Sequence, residues 1–210
     1  MNIPILSFLI LKGKCAYCQT KISPVYPFIE WFSALIAVWL FWKFQFTLEF
    51  IFALIMVYVL LVIAIIDLQT QLILNKVLFF WILIIFIFKL LGVHTIYWNW
   101  IIGLVGLLLG FGFYYFVLWL GEKMFKKESL GMGDVKFAAV AGFLLGADLI
   151  IPMTVVAALL ALLVAVPMFW KKMGDRSIYI PFGPFLCAAT LLFLLYGDYY
   201  RQWINHLMLN

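Results

Sequence analysis

The feature that most constrains this chain is a series of long apolar runs without a charged residue. A helix needs about 20 mostly apolar residues to cross a bilayer. Trp100–Leu120 satisfies that requirement with no charge anywhere in the run. Phe50–Ile66, Met153–Trp170 and Ile178–Tyr196 are uncharged as well. These runs predict helices that cross a membrane.

Three further runs are apolar but interrupted by charge. Phe28–Trp42 contains Glu30 near its start, and Val77–Leu91 contains Lys89 near its end, where a lysine can extend to the interface. Asp134–Ile151 has charged residues at both ends. With these runs the sequence predicts an all-α polytopic membrane protein with about seven transmembrane helices.

The composition excludes other classes of protein. The chain is 68% hydrophobic and 11% charged, whereas a soluble domain is about 45–50% apolar and about 25% charged. Three cysteines are too few for a disulfide framework. The net charge of +5 comes from basic residues in short loops between apolar runs, so we expect the lipid bilayer as a partner and no nucleic acid.

The basic residues predict the orientation. Cytoplasmic loops carry an excess of lysine and arginine. Seven spans place eleven basic residues on one side: Lys12, Lys14, Lys21, Lys76, Lys123, Lys126, Lys127, Lys136, Lys171, Lys172 and Arg176. The other side receives Lys43, Lys89 and Arg201. We therefore expect a cytoplasmic N-terminus, with residues 1–27 cytoplasmic or interfacial and residues 28–210 forming the transmembrane domain.

Two aspartates stand out among the acidic residues. Asp67 directly follows an apolar run, and Asp134 follows Gly131 and Gly133 and opens another. Ionisable groups at membrane depth are functional hypotheses by default. The predicted topology puts both at cytoplasmic helix ends, where two adjacent carboxylates would share a proton and perform aspartyl-protease chemistry. The alternative is that each merely caps a helix or marks a membrane boundary.

Other notable residues receive structural interpretations. Gly106 and Gly110 form a GxxxG pair, which lets another helix approach closely, and we assign it packing and no chemistry. Cys187 lies in the last span and is expected to be an inert core residue. His94 and His206 are expected in solvated external loops.

Four stretches together resemble the bacterial prepilin peptidases, the type IV prepilin leader peptidases of the GxGD aspartyl-protease class. Gly131–Lys136 reads GMGDVK and resembles the family's G-x-G-D-x-K. Ile66–Asn75 resembles the segment with the first aspartate, although Leu74 replaces the usual proline. Ile180–Leu186 reads IPFGPFL, and Asn2–Glu30 resembles the family's cytoplasmic segment.

The resemblance implies an aspartic endopeptidase of the bacterial cytoplasmic (inner) membrane, with a cytoplasmic N-terminus. Such enzymes cleave the leader from type IV prepilins or type II secretion pseudopilins at the cytoplasmic membrane face. Asp67 and Asp134 match the catalytic aspartates, and Gly131, Gly133 and Lys136 belong to the supporting motif. Proteolysis needs no cofactor, whereas many members also methylate the new N-terminus with S-adenosylmethionine.

The resemblance also assigns a methylation segment. Gly13, Lys14 and Glu30 lie in the stretch linked to the methyl donor. Many members have a further N-terminal membrane segment and an upstream C-x-x-C, so we expect a short form that retains only Cys15 and Cys18. Structural zinc usually needs four ligands, so a closed zinc site would require a partner or a second copy. We expect intact protease activity and weak or absent methyltransferase activity.

Three alternatives stay open from the sequence. One is another GxGD intramembrane protease of the presenilin-like kind, although its Pro-Ala-Leu motif is absent. The second is an ion- or proton-coupled transporter that uses the aspartates as a relay. The third is an inactive paralogue that serves in assembly and retains the aspartates structurally. A relay requires carboxylates along a path, whereas a protease requires two together facing one aqueous side.

Overall fold

The computed structural model describes residues 6–93, 100–125, 131–171 and 180–208. Over these residues the regular structure is helical, apart from an isolated antiparallel bridge between Lys14 and Lys21. The helices are α1 Leu6–Ile10, α2 Val25–Phe44, α3 Leu48–Thr70, α4 Asn75–Leu90, α5 Trp100–Phe125, α6 Met132–Leu145, α7 Ile150–Lys171 and α8 Gly183–Met208. The predicted all-α class is confirmed. The chain divides into two compact units, residues 1–54 and 55–210.

In the first unit a tight turn separates α2 from α3. Gln45 has φ 52°, in the left-handed region, so the helix ends there. The next helix begins at once because the Thr47 hydroxyl accepts a hydrogen bond from the Phe50 amide at 3.3 Å. The Phe41 ring packs edge-on against the rings of Phe46 and Phe50, at 4.7 and 5.8 Å between centroids. These contacts close the turn.

The core of the second unit is built around α6. Ten of its residues are buried, namely the run from Val135 to Leu145 without Lys136. A helix that is apolar on all sides is suited to a core position. Accordingly α6 contacts α4, α5, α7 and α8. It ends at Gly146, where a φ of 91° redirects the chain into a short 3-10 turn at Ala147–Leu149 that leads to α7.

The GxxxG pair of α5 packs against this central helix. A Cβ at Gly106 would overlap the carbonyl of Gly142, and one at Gly110 would overlap that of Ala138. The two backbones therefore approach as closely as glycine allows, and the packing prediction is confirmed. Gly112 differs, since a Cβ there would meet nothing within 4 Å.

Four helical segments in the described part of the chain are long and apolar enough to cross a membrane: Val25–Phe44, Leu48–Thr70, Trp100–Met124 and Ala147–Phe169. Their outer faces carry large apolar side chains, with Leu108 69% and Leu163 71% exposed. Such continuous apolar surface suits contact with lipid. Each predicted span overlaps a helix, but α4 and α6 have only 16 and 14 residues. The count of seven spans stays a prediction.

The structure corrects two expectations about side chains. Lys89 is 8% exposed and donates a hydrogen bond to the carbonyl of Phe143 at 2.8 Å, so the prediction that it extends to the interface is wrong. The reason is that α4 ends against α6, whose last carbonyls lack partners within the helix. His206 is exposed as expected, but it lies within α8 and not in a loop. His94 is outside the described residues.

Candidate active site

Asp67 occupies the last turn of α3. Its backbone carbonyl accepts the amide of Gln71 at 2.8 Å, and the φ of 57° at Gln71 then turns the chain away from the helix. The aspartate is 5% exposed. Its Oδ2 atom accepts a hydrogen bond from the amide of Gly183 at 3.0 Å. A buried carboxylate at the end of one helix is thus held by the start of another.

Asp134 lies in the first turn of α6. Gly131 is the N-cap residue, with extended backbone angles. The amide of Gly131 donates to Oδ2 of Asp134 at 3.3 Å, and the Asp134 amide donates to the Gly131 carbonyl at 3.0 Å. The carboxylate therefore caps its own helix, where the helix dipole favours negative charge.

The fold brings these two side chains together. The carboxylates of Asp67 and Asp134 lie close enough to interact electrostatically, and the buried thiol of Cys187 is within electrostatic range of both. Each carboxylate uses Oδ2 for its backbone hydrogen bond, and Oδ1 has no hydrogen-bond partner among the described residues. Helix capping explains the position of Asp134, because that residue alone caps α6. It does not explain why the Asp67 carboxylate lies near Asp134. We call these two residues the aspartate pair.

The segment between α3 and α4 lies directly on the glycines before Asp134. A Cβ at Gly133 would stand 3.0 Å from the Cβ of Ile73, and one at Gly131 would stand 3.3 Å from Oδ2 of Asp134. Glycine at position 133 therefore permits the close approach of Ile73, and glycine at position 131 leaves room for the Asp134 carboxylate. Leu74, which stands where the family usually has proline, has φ −72°, a value that proline also adopts. Proline would therefore be compatible with the φ angle at this position.

Lys136 joins the same two segments. Its ammonium donates a hydrogen bond to Oδ1 of Asn75 at 3.0 Å, and Asn75 is the first residue of α4. The contact links the first turn of α6 to the chain that follows Asp67. Gly133 and Lys136 are therefore both placed to maintain the relative position of the aspartate pair.

Two residues beside the pair were not predicted as site residues. Gly183 donates to Asp67 although 116 residues separate them, and Ile73 packs on Gly133. The signal for Gly183 was a glycine between Pro181 and Pro184 at the start of an apolar run. That pattern indicates a constrained helix start, but it does not identify the partner of the amide.

The proposed methylation residues lie in the first unit. Gly13 has φ 72°, which favours glycine, and a Cβ there would also lie 3.1 Å from the Phe8 ring. Lys14 forms the isolated bridge with Lys21. Glu30 is an exposed residue of α2.

The two cysteines of the first unit lie in one tight turn. The Cys15 amide donates to the Thr20 carbonyl at 2.9 Å, and the Cys18 thiol is 3.0 Å from the Thr20 hydroxyl. Hydrogen bonds, chiefly from that hydroxyl, lower the pKa of the exposed Cys18 thiol to about 7. Among the described residues no group of three or more His, Cys, Asp or Glu side chains is placed to hold a metal. Two thiols alone do not fit a closed structural zinc site, which takes four ligands.

Comparison with known families agrees with this arrangement. Residues 1–44 match the bacterial peptidase A24 N-terminal domain, and residues 54–166 match the type IV leader peptidase family. The second match includes both members of the aspartate pair.

Similar proteins share about 30% of their residues with this chain. Proteins named prepilin leader peptidase/N-methyltransferase from Pseudomonas aeruginosa and Bacillus subtilis are each 32% identical, over 94% and 93% of this chain and 67% and 76% of their own lengths. The protein of that name from Legionella pneumophila is 29% identical over 96% of this chain and 69% of its own length. No solved structure matches this chain.

Proposed function

The chain belongs to the type IV leader peptidase family, and from this premise we propose that it is a membrane aspartic endopeptidase that removes the leader from type IV prepilins or type II secretion pseudopilins. The observation that carries the proposal is that Asp67 and Asp134, two carboxylates from different helices, lie within electrostatic range of each other. Family membership gives the reaction class, and the aspartate pair supplies groups that can perform it.

The proposed chemistry begins with one proton shared by the pair. The ionised carboxylate removes a proton from water as the water oxygen attacks the peptide carbonyl carbon, while the protonated carboxyl group donates its proton to the carbonyl oxygen. When the C–N bond breaks, the pair returns one proton to the leaving amine and takes one from the diol. The pair therefore ends with one proton, as it began, and no cofactor is required.

The arrangement of hydrogen bonds supports this chemistry. Backbone amides occupy Oδ2 of each aspartate, and no described residue bonds to Oδ1, which leaves the Oδ1 atoms for water and for the shared proton. Gly131 leaves no side-chain bulk beside the Asp134 carboxylate, so an extended substrate backbone can come close to it there. Gly133 is instead covered by Ile73.

We propose that all seven helices from α2 to α8 cross the bacterial cytoplasmic membrane, with the N-terminus in the cytoplasm and residues 28–210 as the transmembrane domain. The eleven-to-three division of basic residues supports this orientation. Asp67 lies in the last turn of α3 and Asp134 in the first turn of α6, so in this topology both fall on the cytoplasmic side. The aspartate pair would then face the cytoplasm, the side of the membrane on which the basic leader peptide of the substrate remains.

The rival functions are less well supported. A transporter relay requires carboxylates spaced along a path through the membrane, whereas Asp67 and Asp134 lie together at one end of α3 and α6. An inactive assembly partner would not require two carboxylates within electrostatic range of each other. A protein that cleaves a prepilin is a peptidase and not an inactive assembly partner.

For methylation we propose that any S-adenosylmethionine-dependent activity involves Gly13, Lys14 and Glu30 and is weak or absent. Cys15 and Cys18 supply only half of a four-ligand zinc site.

The test is co-expression with a prepilin in a host that lacks its own leader peptidase. Leader removal is measured by gel mobility and by the mass of the product. Asp67→Asn and Asp134→Asn should each abolish cleavage, because an amide cannot hold the shared proton. The matched control is Asp198→Asn, whose wild-type side chain is 61% exposed, and it should cleave normally. Each protein should be present in the membrane fraction, and full cleavage by Asp67→Asn or Asp134→Asn would contradict the proposal.

A further inference from the structure

The amide of Gly183 makes a buried contact with the aspartate pair. It donates to Oδ2 of Asp67 at 3.0 Å, and both residues are buried. Gly183 is the first residue of α8, so the carboxylate lies at the positive end of a 26-residue helix. Hydrogen bonds and helix N-termini both stabilise a carboxylate and fix its direction.

The sequence of the first turn of α8 makes this amide specific. Pro184 has no N–H, and the amides of Phe185 and Leu186 both bond to the carbonyl of Phe182, at 3.1 and 3.2 Å. The Gly183 amide is therefore the first-turn donor that is left for a partner outside the helix. Its partner is the side chain of Asp67.

The start of α8 is also held rigidly. Leu186, Ala189 and Thr190 on the following turns are 0% exposed. The Thr190 hydroxyl donates to the sulfur of Met153 at 3.3 Å, which fixes α8 to α7. A donor on a packed helix locates its acceptor more precisely than a donor on a free loop does.

Any side chain at position 183 would displace the Asp67 carboxylate. A Cβ there would stand 2.5 Å from Oδ2 of Asp67 and 2.9 Å from its Cγ. Even alanine would push the carboxylate out of its place. Glycine is needed here for close approach and not for an unusual backbone angle.

We propose that Gly183 is a positioning residue of the peptidase, whose amide holds Oδ2 of Asp67 so that Oδ1 remains available to the attacking water and the shared proton. This inference rests on the proposed function for its catalytic consequence. The contact itself does not depend on that function.

The contact is tested by a double-mutant cycle on thermal unfolding of the purified protein. Gly183→Ala should lower Tm in the wild-type background, because the new methyl group meets the Asp67 carboxylate. In an Asp67→Ala background the same change should lower Tm much less. If Gly183→Ala does not accumulate alone, recovery in the double variant supports the contact. Equal losses in the two backgrounds, or no recovery, would overturn it.

The positioning role is tested by kinetics with a prepilin. Because a displacement of about 1 Å costs on the order of 100-fold in rate, Gly183→Ala should lower kcat by about that factor and leave KM unchanged. The pH dependence of kcat should also be displaced, since hydrogen bonds help to set the apparent pKa values of a pair. Gly112→Ala is the matched control, because its Cβ meets nothing within 4 Å.

The outcomes separate the two proposals. An unchanged kcat for Gly183→Ala, or a rise in KM alone, would overturn the positioning role. A wild-type protein that cleaves no prepilin would overturn the proposed function, and the unfolding cycle would still report whether Gly183 and Asp67 interact.

Discussion

The ammonium of Lys89 donates a hydrogen bond to the carbonyl oxygen of Phe143, in the last turn of α6, at 2.8 Å. Arg201 makes the equivalent contact with the carbonyl of Leu145 at 2.7 Å. The last carbonyls of a helix have no partners within it and favour cations. Since Asp134 caps the other end, the buried helix α6 has its own acidic residue at its start, and basic side chains from α4 and α8 contact its end. These contacts fix the helix that presents Asp134.

We expect Lys89→Met to destabilise the protein while keeping most of the apolar contacts of the lysine stem. Loss of a hydrogen bond to a buried carbonyl should cost about 1–3 kcal/mol. Denaturant or thermal unfolding in detergent measures the loss. Lys123→Met, at an exposed position of α5, is the control and should change stability little. A Lys89 variant as stable as the Lys123 variant would contradict the capping role.

We expect Lys136 and Asn75 to act as a unit in the peptidase reaction. Lys136→Met and Asn75→Ala should each lower kcat/KM by roughly 3- to 10-fold, the equivalent of a hydrogen bond worth about 1 kcal/mol. The double variant should be no slower than the slower single variant. Additive losses would mean that the contact at 3.0 Å does not support the aspartate pair.

The sequence predicted local structure well because length and apolarity are local properties. The uncharged runs located α3, α5 and α7, and the glycines of Gly131–Lys136 indicated a close approach that Ile73 makes. The contacts that the sequence did not predict join distant positions. Asp67 and Gly183 are 116 residues apart, and Lys89 and Phe143 are 54 apart. Considered alone, each residue has a simpler interpretation: Gly183 indicates a break before a helix, and Lys89 indicates a lysine at the membrane interface.

We expect Cys18 to be alkylated by iodoacetamide at unusually low pH. Hydrogen bonds from Thr20 lower its thiol pKa to about 7, and the thiolate is the reactive form. The rate should therefore rise with pH and reach half its maximum near the pH that equals this pKa. The rate of Cys18 alkylation at each pH is measured by site-resolved mass spectrometry after chelator treatment. Thr20→Val should move the midpoint to higher pH, and an unchanged midpoint would show that the hydroxyl has no such effect.

We expect positions 126 and 207 to lie on opposite sides of the membrane. The basis is the unequal distribution of basic residues. In a cysteine-free background, Lys126→Cys and Leu207→Cys should react with an impermeant reagent from opposite sides. Lys43→Cys is the internal control and should behave like Leu207→Cys. Labelling of positions 126 and 207 from the same side would mean that the span count is wrong by an odd number.

For methyltransferase activity, the family resemblance and the zinc ligands present in these residues lead to different expectations. Gly13, Lys14 and Glu30 are present, but Cys15 and Cys18 supply only two of four zinc ligands. Proteolysis needs water and two carboxylates, whereas methyl transfer needs a shaped pocket for S-adenosylmethionine. We therefore expect the two activities to separate in this chain.

The measurement is the intact mass of the processed pilin after co-expression, with fragmentation of its N-terminal peptide. Unmodified mature pilin is the expected product, because Cys15 and Cys18 alone do not complete a four-ligand site beside the residues proposed to hold the methyl donor. Addition of zinc should leave this result unchanged if no partner supplies the missing ligands. A mature pilin that carries one extra methyl group, formed only with S-adenosylmethionine and lost in Glu30→Gln, would show that two cysteines are enough.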